Sequence, residues 1–321
     1  MIRKSSFKAA WWLPGAHAQT IWPAFNKRKY PVKLEWERLE LPDKDFIDLV
    51  WTPDTGGPVI ILLHGLEGSI NSHYAKGMLT TFHNQGWRGV LMHFRGCSGT
   101  HNLRTRGYHS GETGDFRFLI QLLKSRYSDR KFAATGFSLG GNVLLKYLGE
   151  YGADSCLAAA TAISVPFSLS SAADKLMRGP SRIYQYYLLK QIRERIIDKF
   201  STRQDAPFSV SDVSRWNNFH LFDNHVTAPL HGFSNSAEYY EICSSKQYLK
   251  SITTPTLIIQ AENDPFLSPG AIPIESELSE NIILELSRDG GHVGFISGGL
   301  PWQPHYWLEE RIPAFLSDYL N

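Results

Sequence analysis

The chain is short of cysteine and has no long apolar run. Its 321 residues include only Cys97, Cys156 and Cys243, an odd number with no C-x-x-C pair. That speaks against a disulfide framework and a cysteine-built zinc site, and it suits a reducing, cytoplasmic setting. No stretch reaches the roughly 18 apolar residues a membrane-spanning helix requires. At the N-terminus only Ala9 to Leu13 are apolar before Pro14 and Gly15 intervene. A secretory leader needs roughly 7–15 such residues, so none is expected. Charge of one sign is missing too. Lys and Arg number 33 and Asp and Glu 31, a net charge of +2 with both signs spread along the chain. No basic block calls for a nucleic-acid partner. No G-x-G-x-x-G follows a strand pattern, no phosphate loop occurs, and the histidines form no H-E-x-x-H. Neither a nucleotide, a metal nor any other cofactor is expected.

What is present suffices for a large core: 42% of residues are hydrophobic and 13% aromatic. Residues 34–41 alternate apolar and polar, turn at 42–45 and return over 46–51, an antiparallel hairpin at a sheet edge. The runs 58–63, 87–94, 132–135, 156–167, 255–261 and 281–286 read as buried strands. Helical patterns over 74–84, 115–127, 142–148 and 306–320 separate or follow them. Strands alternating with helices predict an α/β fold, a mostly parallel eight-stranded sheet with helices on both faces. The alternation breaks between 168 and 251, where Tyr184, Tyr186, Tyr187, Leu188, Leu189, Ile192 and Ile196 lie at helical spacing. Three divisions follow: an N-terminal arm over 1–30, a core over 31–167 and 252–321, and a helical cap inserted over 168–251. The arm carries Trp11, Trp12, Trp22 and Phe25 and is expected to pack on the body. The sharper reading makes these aromatics a membrane-surface patch or a wall of the substrate entrance.

The stretch with most chemical content is Gly136-Phe137-Ser138-Leu139-Gly140, a G-x-S-x-G between a strand and a helix. A serine at such a bend is lifted clear of the sheet, and its glycine neighbours avoid collision with it. The next amide, that of Leu139, opens the helix, where backbone N–H groups attract negative charge. The bare pattern is weak, and a glycine turn capping a helix would match it equally. Order along the chain adds weight: Ser138, then Asp264, then His292, each beyond a predicted strand end, is the α/β-hydrolase order. His292 would take the serine proton and return it to the leaving group, and Asp264 would orient the imidazole. Glu262, nearer the strand, is the rival carboxylate. The second oxyanion donor is expected from His64-Gly65-Leu66-Glu67-Gly68, at the Leu66 amide, with His64 as a structural histidine. His93, Arg95 and Ser98 either shape the pocket floor or belong to a plain turn. Asp115 suits a helix N-terminus.

Five segments carry a family likeness: 13–20 (LPGAHAQT), 64–69 (HGLEGS), 95–99 (RGCSG), 136–142 (GFSLGGN) and 290–295 (GGHVGF). With them the chain resembles the YheT-like esterase branch of the α/β-hydrolase fold. The resemblance implies carboxylic-ester hydrolysis by a charge relay of Ser138, Asp264 and His292. The expected partner is a small-molecule ester, lipid-like esters included. Two rival readings stand beside ester hydrolysis: acyl transfer, thioester or amide cleavage by the same triad, and a non-catalytic binding protein that kept the fold.

Overall fold

A computed structural model of the chain describes residues 1–26, 28 and 30–320. Eleven strands and ten α-helices follow one another along them. The order begins β1 (Ile2–Lys4), α1 (Ala16–Phe25), β2 (Glu35–Glu40), β3 (Phe46–Trp51), β4 (Val59–Leu63), α2 (Ala75–Asn84), β5 (Arg88–Met92), α3 (Gly114–Arg126), β6 (Phe132–Phe137), α4 (Leu139–Tyr151) and β7 (Ala159–Ile163). The helical stretch comprises α5 (Leu169–Leu176), α6 (Arg182–Phe200), α7 (Phe219–Phe222), α8 (Ala228–His231) and α9 (Ser236–Cys243). The chain closes with β8 (Thr256–Ala261), β9 (Ile282–Ser287), β10 (Ile296–Leu300), β11 (Gln303–Tyr306) and α10 (Leu308–Leu320).

Nine strands form the main sheet in the order β1-β9-β8-β7-β6-β4-β5-β3-β2. From β1 to β5 every pairing is parallel; β3 is antiparallel to both β5 and β2. The reason lies in the side chains. All five residues of β4 are buried, as a strand covered on both faces must be. Val59, Ile61 and Leu63 point into the layer with α3 and α4, and Ile60 and Leu62 into the layer with α2 and α10. Each such side chain contributes about 2 kcal/mol of burial.

The sheet has one strand more than the sequence predicts. Ile2–Lys4 is too short, and too charged, to show a period. It is held by backbone pairing along β9, Ile2 opposite Leu284, and the Met1 amino group donates to Ile282 O at 2.7 Å. So the first residues form an edge strand of the sheet. Helix α1, behind Pro14-Gly15 and with Pro23 inside, was equally illegible. The closing helix starts at Leu308, and Tyr306 belongs instead to a small antiparallel hairpin, β10–β11.

Between residues 168 and 251 every regular element is helical. Leu189, Ile192 and Ile196 of α6 pack with Phe219, Phe222 and Tyr240 into a cluster of their own above the sheet. Tyr186 and Tyr187, on the same apolar-rich helix, face outward at 66% and 64% exposure. Arg95 sits in the turn after β5 and does more there than close it. Its guanidinium lies 2.7 Å from two oxygens of Asp115, which sits in the first turn of α3, and 2.7 and 2.9 Å from Asp43 and Asp45. It ties the β2–β3 turn to the loop after β5, a buried cation whose three carboxylates compensate its desolvation.

Candidate active site

At the end of β6 the backbone of Ser138 takes φ 51° and ψ −118°, a conformation that costs a residue with a Cβ about 1–3 kcal/mol. The neighbours make it feasible. A Cβ on Gly136 would stand 2.4 Å from Gly140 O, and one on Gly140 would stand 2.5 Å from Leu63 O. No side chain larger than hydrogen fits at either position.

The bend points the serine hydroxyl at the loop after β9. Ser138 Oγ is 2.9 Å from His292 Nε2, and His292 Nδ1 is 2.9 and 3.2 Å from the two oxygens of Asp264. Asp264 is buried. It also accepts from the Phe266 N–H at 2.8 Å and from Gln260 Nε2 at 3.2 Å. With the Phe266 N–H and Gln260 Nε2 already donating to it, the carboxylate acts as the acceptor toward Nδ1, so the imidazole proton sits on Nδ1 and the Nε2 lone pair faces the serine. Ser138, Asp264 and His292 are thus brought together, at the carboxyl ends of β6, β8 and β9. Glu262 is exposed, and its side chain makes none of these contacts.

The loop that carries His292 is held from four directions. Gly290, Gly291, Val293 and Phe295 have positive φ, so the loop cannot rest on local preference. The His292 N–H donates to Thr20 Oγ at 2.9 Å, the Gly291 N–H to Asn263 Oδ1 at 3.1 Å, the Val293 N–H to Ser164 Oγ at 3.0 Å and the Ile296 N–H to Gln19 Oε1 at 2.8 Å. Gln19 is completely buried, and its amide nitrogen bonds Leu13 O and Ile296 O at 3.0 Å each. Phe266 lies flat on the imidazole, ring centres 3.9 Å apart. None of these five supporting residues has a role legible in spacing. Gln19 and Thr20 do stand in the 13–20 segment that carries the family likeness.

The turn after β4 abuts the serine: a Cβ on Gly65 would come 3.3 Å from Ser138 Cβ. Its amides are sorted. Gly65 N–H donates to Tyr74 OH at 2.8 Å and Glu67 N–H to Tyr108 OH at 2.9 Å. Between them, the Leu66 N–H donates to no acceptor among the described residues; nor does that of Leu139, the first residue of α4. Arg195 of the cap grips Glu67 at 2.8 and 2.9 Å and pins the turn from above.

His64 supports the same turn from below. Its Nε2 accepts the Phe94 N–H at 3.1 Å, so Nδ1 bears the proton and donates to Gly65 O at 2.7 Å. Burial pushes the ring down to about 3, with His93 beside it acting in the same direction. The folded pKa is below the unfolded value, so this contribution to stability is complete above pH ~6.5 and is lost as the pH falls toward ~3. The loss runs at about 1.4 kcal/mol per pH unit. A His64→Gln variant keeps both hydrogen bonds and cannot titrate. Its unfolding free energy, measured by denaturant between neutral and acid pH, is expected to fall less steeply by one proton. An unchanged slope would mean that His64 is not held neutral.

Two spaces meet at Ser138 and His292. An apolar cavity runs under the cap, walled by Leu66, Leu139, Leu169, Leu176, Phe219 and Phe266. A wider, more polar cleft opens outward between α1, residues 69–76 and α6.

Comparisons with known proteins agree with this architecture. The family model described as "alpha/beta hydrolase fold" matches residues 58–299. The protein named "Putative esterase YheT" of Escherichia coli K12 is 40% identical over 310 residues, 95% of this chain and 91% of that protein. "Phospholipase ABHD3" of Mus musculus is 30% identical over 305 residues, 92% of this chain and 74% of that protein. The solved esterase Pf2001 of Pyrococcus furiosus has a TM-score of 0.60 at 15% identity, covering 92% of this chain and 97% of that one. At that identity the likeness concerns the fold.

Proposed function

This chain belongs to the α/β-hydrolase fold family, as an esterase-like member, and on that premise we propose that it is a serine carboxylesterase working through an acyl-enzyme. The observation that carries the reading is the unbroken hydrogen-bonded line from Ser138 Oγ through His292 to Asp264. An alcohol is a poor nucleophile near neutral pH, and Nε2 supplies the base that it needs. Ser138 attacks the ester carbonyl while His292 takes its proton. Negative charge develops on the carbonyl oxygen and meets the Leu66 and Leu139 amides, two donors with no other partner among the described residues. As the tetrahedral intermediate collapses, His292 protonates the departing alcohol. It then removes a proton from water, which attacks the acyl group and frees the serine. Asp264 steadies the imidazolium in both halves.

The apolar cavity suits the acyl chain, and the wide polar cleft suits the alcohol and the incoming water. A short to medium acyl chain matches a cavity walled by Leu169, Leu176 and Phe219. Each methylene buried there is worth about 0.8 kcal/mol, so kcat/KM is expected to rise about threefold to fourfold per methylene over the first few carbons of p-nitrophenyl esters. A flat series from acetyl to decanoyl would remove the chain-length reading. A fluorophosphonate should label Ser138 covalently. Folded protein that takes up no label would overturn the serine mechanism in favour of a binding protein of this fold.

A further inference from the structure

We propose that the face built by α1, the β10–β11 hairpin and the start of α6 docks on an anionic lipid bilayer and brings the mouth of the cleft to its surface. The inference starts from side chains left in water. Trp11 is 78% exposed, Phe25 78% and Trp302 79%, and Ile21, Ile183 and Tyr187 are exposed as well. Local packing had other options. Trp12 and Trp22 stand edge to face at 4.9 Å, in a small cluster with Leu13 and Ile296, while Trp11 next door is left outside. An indole held in water forfeits a large burial gain.

These groups share one face. Trp12 Nε1 donates to Gly299 O at 3.1 Å, so the segment bearing Trp11 rests on the hairpin whose turn bears Trp302. His17 of α1 stacks on Tyr184 of α6, its Nδ1 2.8 Å from the hydroxyl, so the two helices are neighbours. The face also borders the reaction site: Pro23 and Ala24 of α1 and Tyr187 and Leu188 of α6 line the cleft that ends at Ser138 and His292.

Charge selects the occupant. The whole chain is nearly balanced at +2, yet residues 1–34 hold seven Lys and Arg and no Asp or Glu. Arg3 and Arg28 are paired with Glu285 and Glu309, while Lys4, Lys33 and Lys8, the last close to Trp11, are exposed. Aromatic rings with an apolar body and a polar edge, set beside ammonium groups, match the headgroup layer of a bilayer with negative lipids. A second copy of this chain on the same face would set one cationic segment against the other. The docking holds without reference to catalysis. Only its consequence, that an apolar ester could pass from lipid into the cleft without crossing water, rests on the esterase reading.

Vesicle flotation with the full chain tests the proposal, using equal parts phosphatidylcholine and phosphatidylglycerol against pure phosphatidylcholine. The protein is expected to float with the mixed vesicles and to detach as salt is raised. A Trp11→Ala/Trp302→Ala variant should lower the partition coefficient by about tenfold or more. Because both rings are mostly in solvent, it should keep the melting temperature and the turnover of dissolved p-nitrophenyl butyrate. Absence of flotation with mixed vesicles, or equal flotation of the double variant, would overturn the docking. So would lipid-free self-association that the double variant abolishes, which would assign the face to a second copy. Flotation without any turnover of the dissolved ester would leave the docking standing and overturn the esterase reading.

Discussion

Replacing Ser138 with alanine is expected to lower kcat for a dissolved ester such as p-nitrophenyl butyrate by about 10⁶-fold. The Ser138 hydroxyl lies where the cavity and the cleft meet, with its oxygen 2.9 Å from His292 Nε2, the proposed base. What remains in the variant is an imidazole and the Leu66 and Leu139 amides, which can still position a water. The fold should be untouched. Alanine keeps the Cβ and the backbone at φ 51°, and the Ser138 N–H still donates to Ile163 O at 2.8 Å. One hydroxyl–imidazole hydrogen bond is worth about 1 kcal/mol, so melting should shift by a few degrees at most. Steady-state kinetics beside a thermal melt decide it. Turnover within tenfold of the parent, in material free of contaminating esterase, would remove Ser138 as the nucleophile.

The second large effect is expected at Asp264, with Glu262 as its control. Asp264→Asn should cost about 10⁴-fold in kcat. A carboxylate offers lone pairs on both oxygens, and here Phe266 N–H, Gln260 Nε2 and His292 Nδ1 share them. An amide has an acceptor on one side only. Facing its nitrogen toward the histidine makes Nδ1 an acceptor and moves the ring proton to Nε2, where it blocks transfer from Ser138. Glu262→Gln changes an exposed side chain away from the imidazole and should leave kcat within about twofold, as surface substitutions do. A loss in Glu262→Gln equal to that in Asp264→Asn would mean that the wrong carboxylate has been named.

The two carboxylates mark the boundary between what sequence order carries and what the fold decides. Both follow the same strand two positions apart, and chain order alone suits either. Direction separates them. Asp264 accepts the amide of Phe266, two residues on, in a local turn that aims it inward, while Glu262 points to solvent. The elbow was easier, because its demands are local. Gly136 and Gly140 sit where any Cβ would collide with backbone, and such a need marks the residues themselves. His64 was legible as structural for a similar reason, lying at a strand end beside a glycine turn.

Residues in regular elements write their environment into the order of their neighbours. The buried run of β4, the turn glycines and the succession of strand and helix were therefore open to inspection, and with them the parallel sheet and the order of serine, acid and histidine. The cradle of the histidine loop was not. Thr20 and His292 are 272 positions apart, and a contact of 2.9 Å across that separation leaves no period in either segment. Edge strand β1 and helix α1 are likewise stabilised chiefly by what they lie against. Pairing between distant groups depends on how the whole chain closes, so folding had to bring the N-terminal helix, the cap and the loop after β9 around one hydroxyl before their roles could be seen.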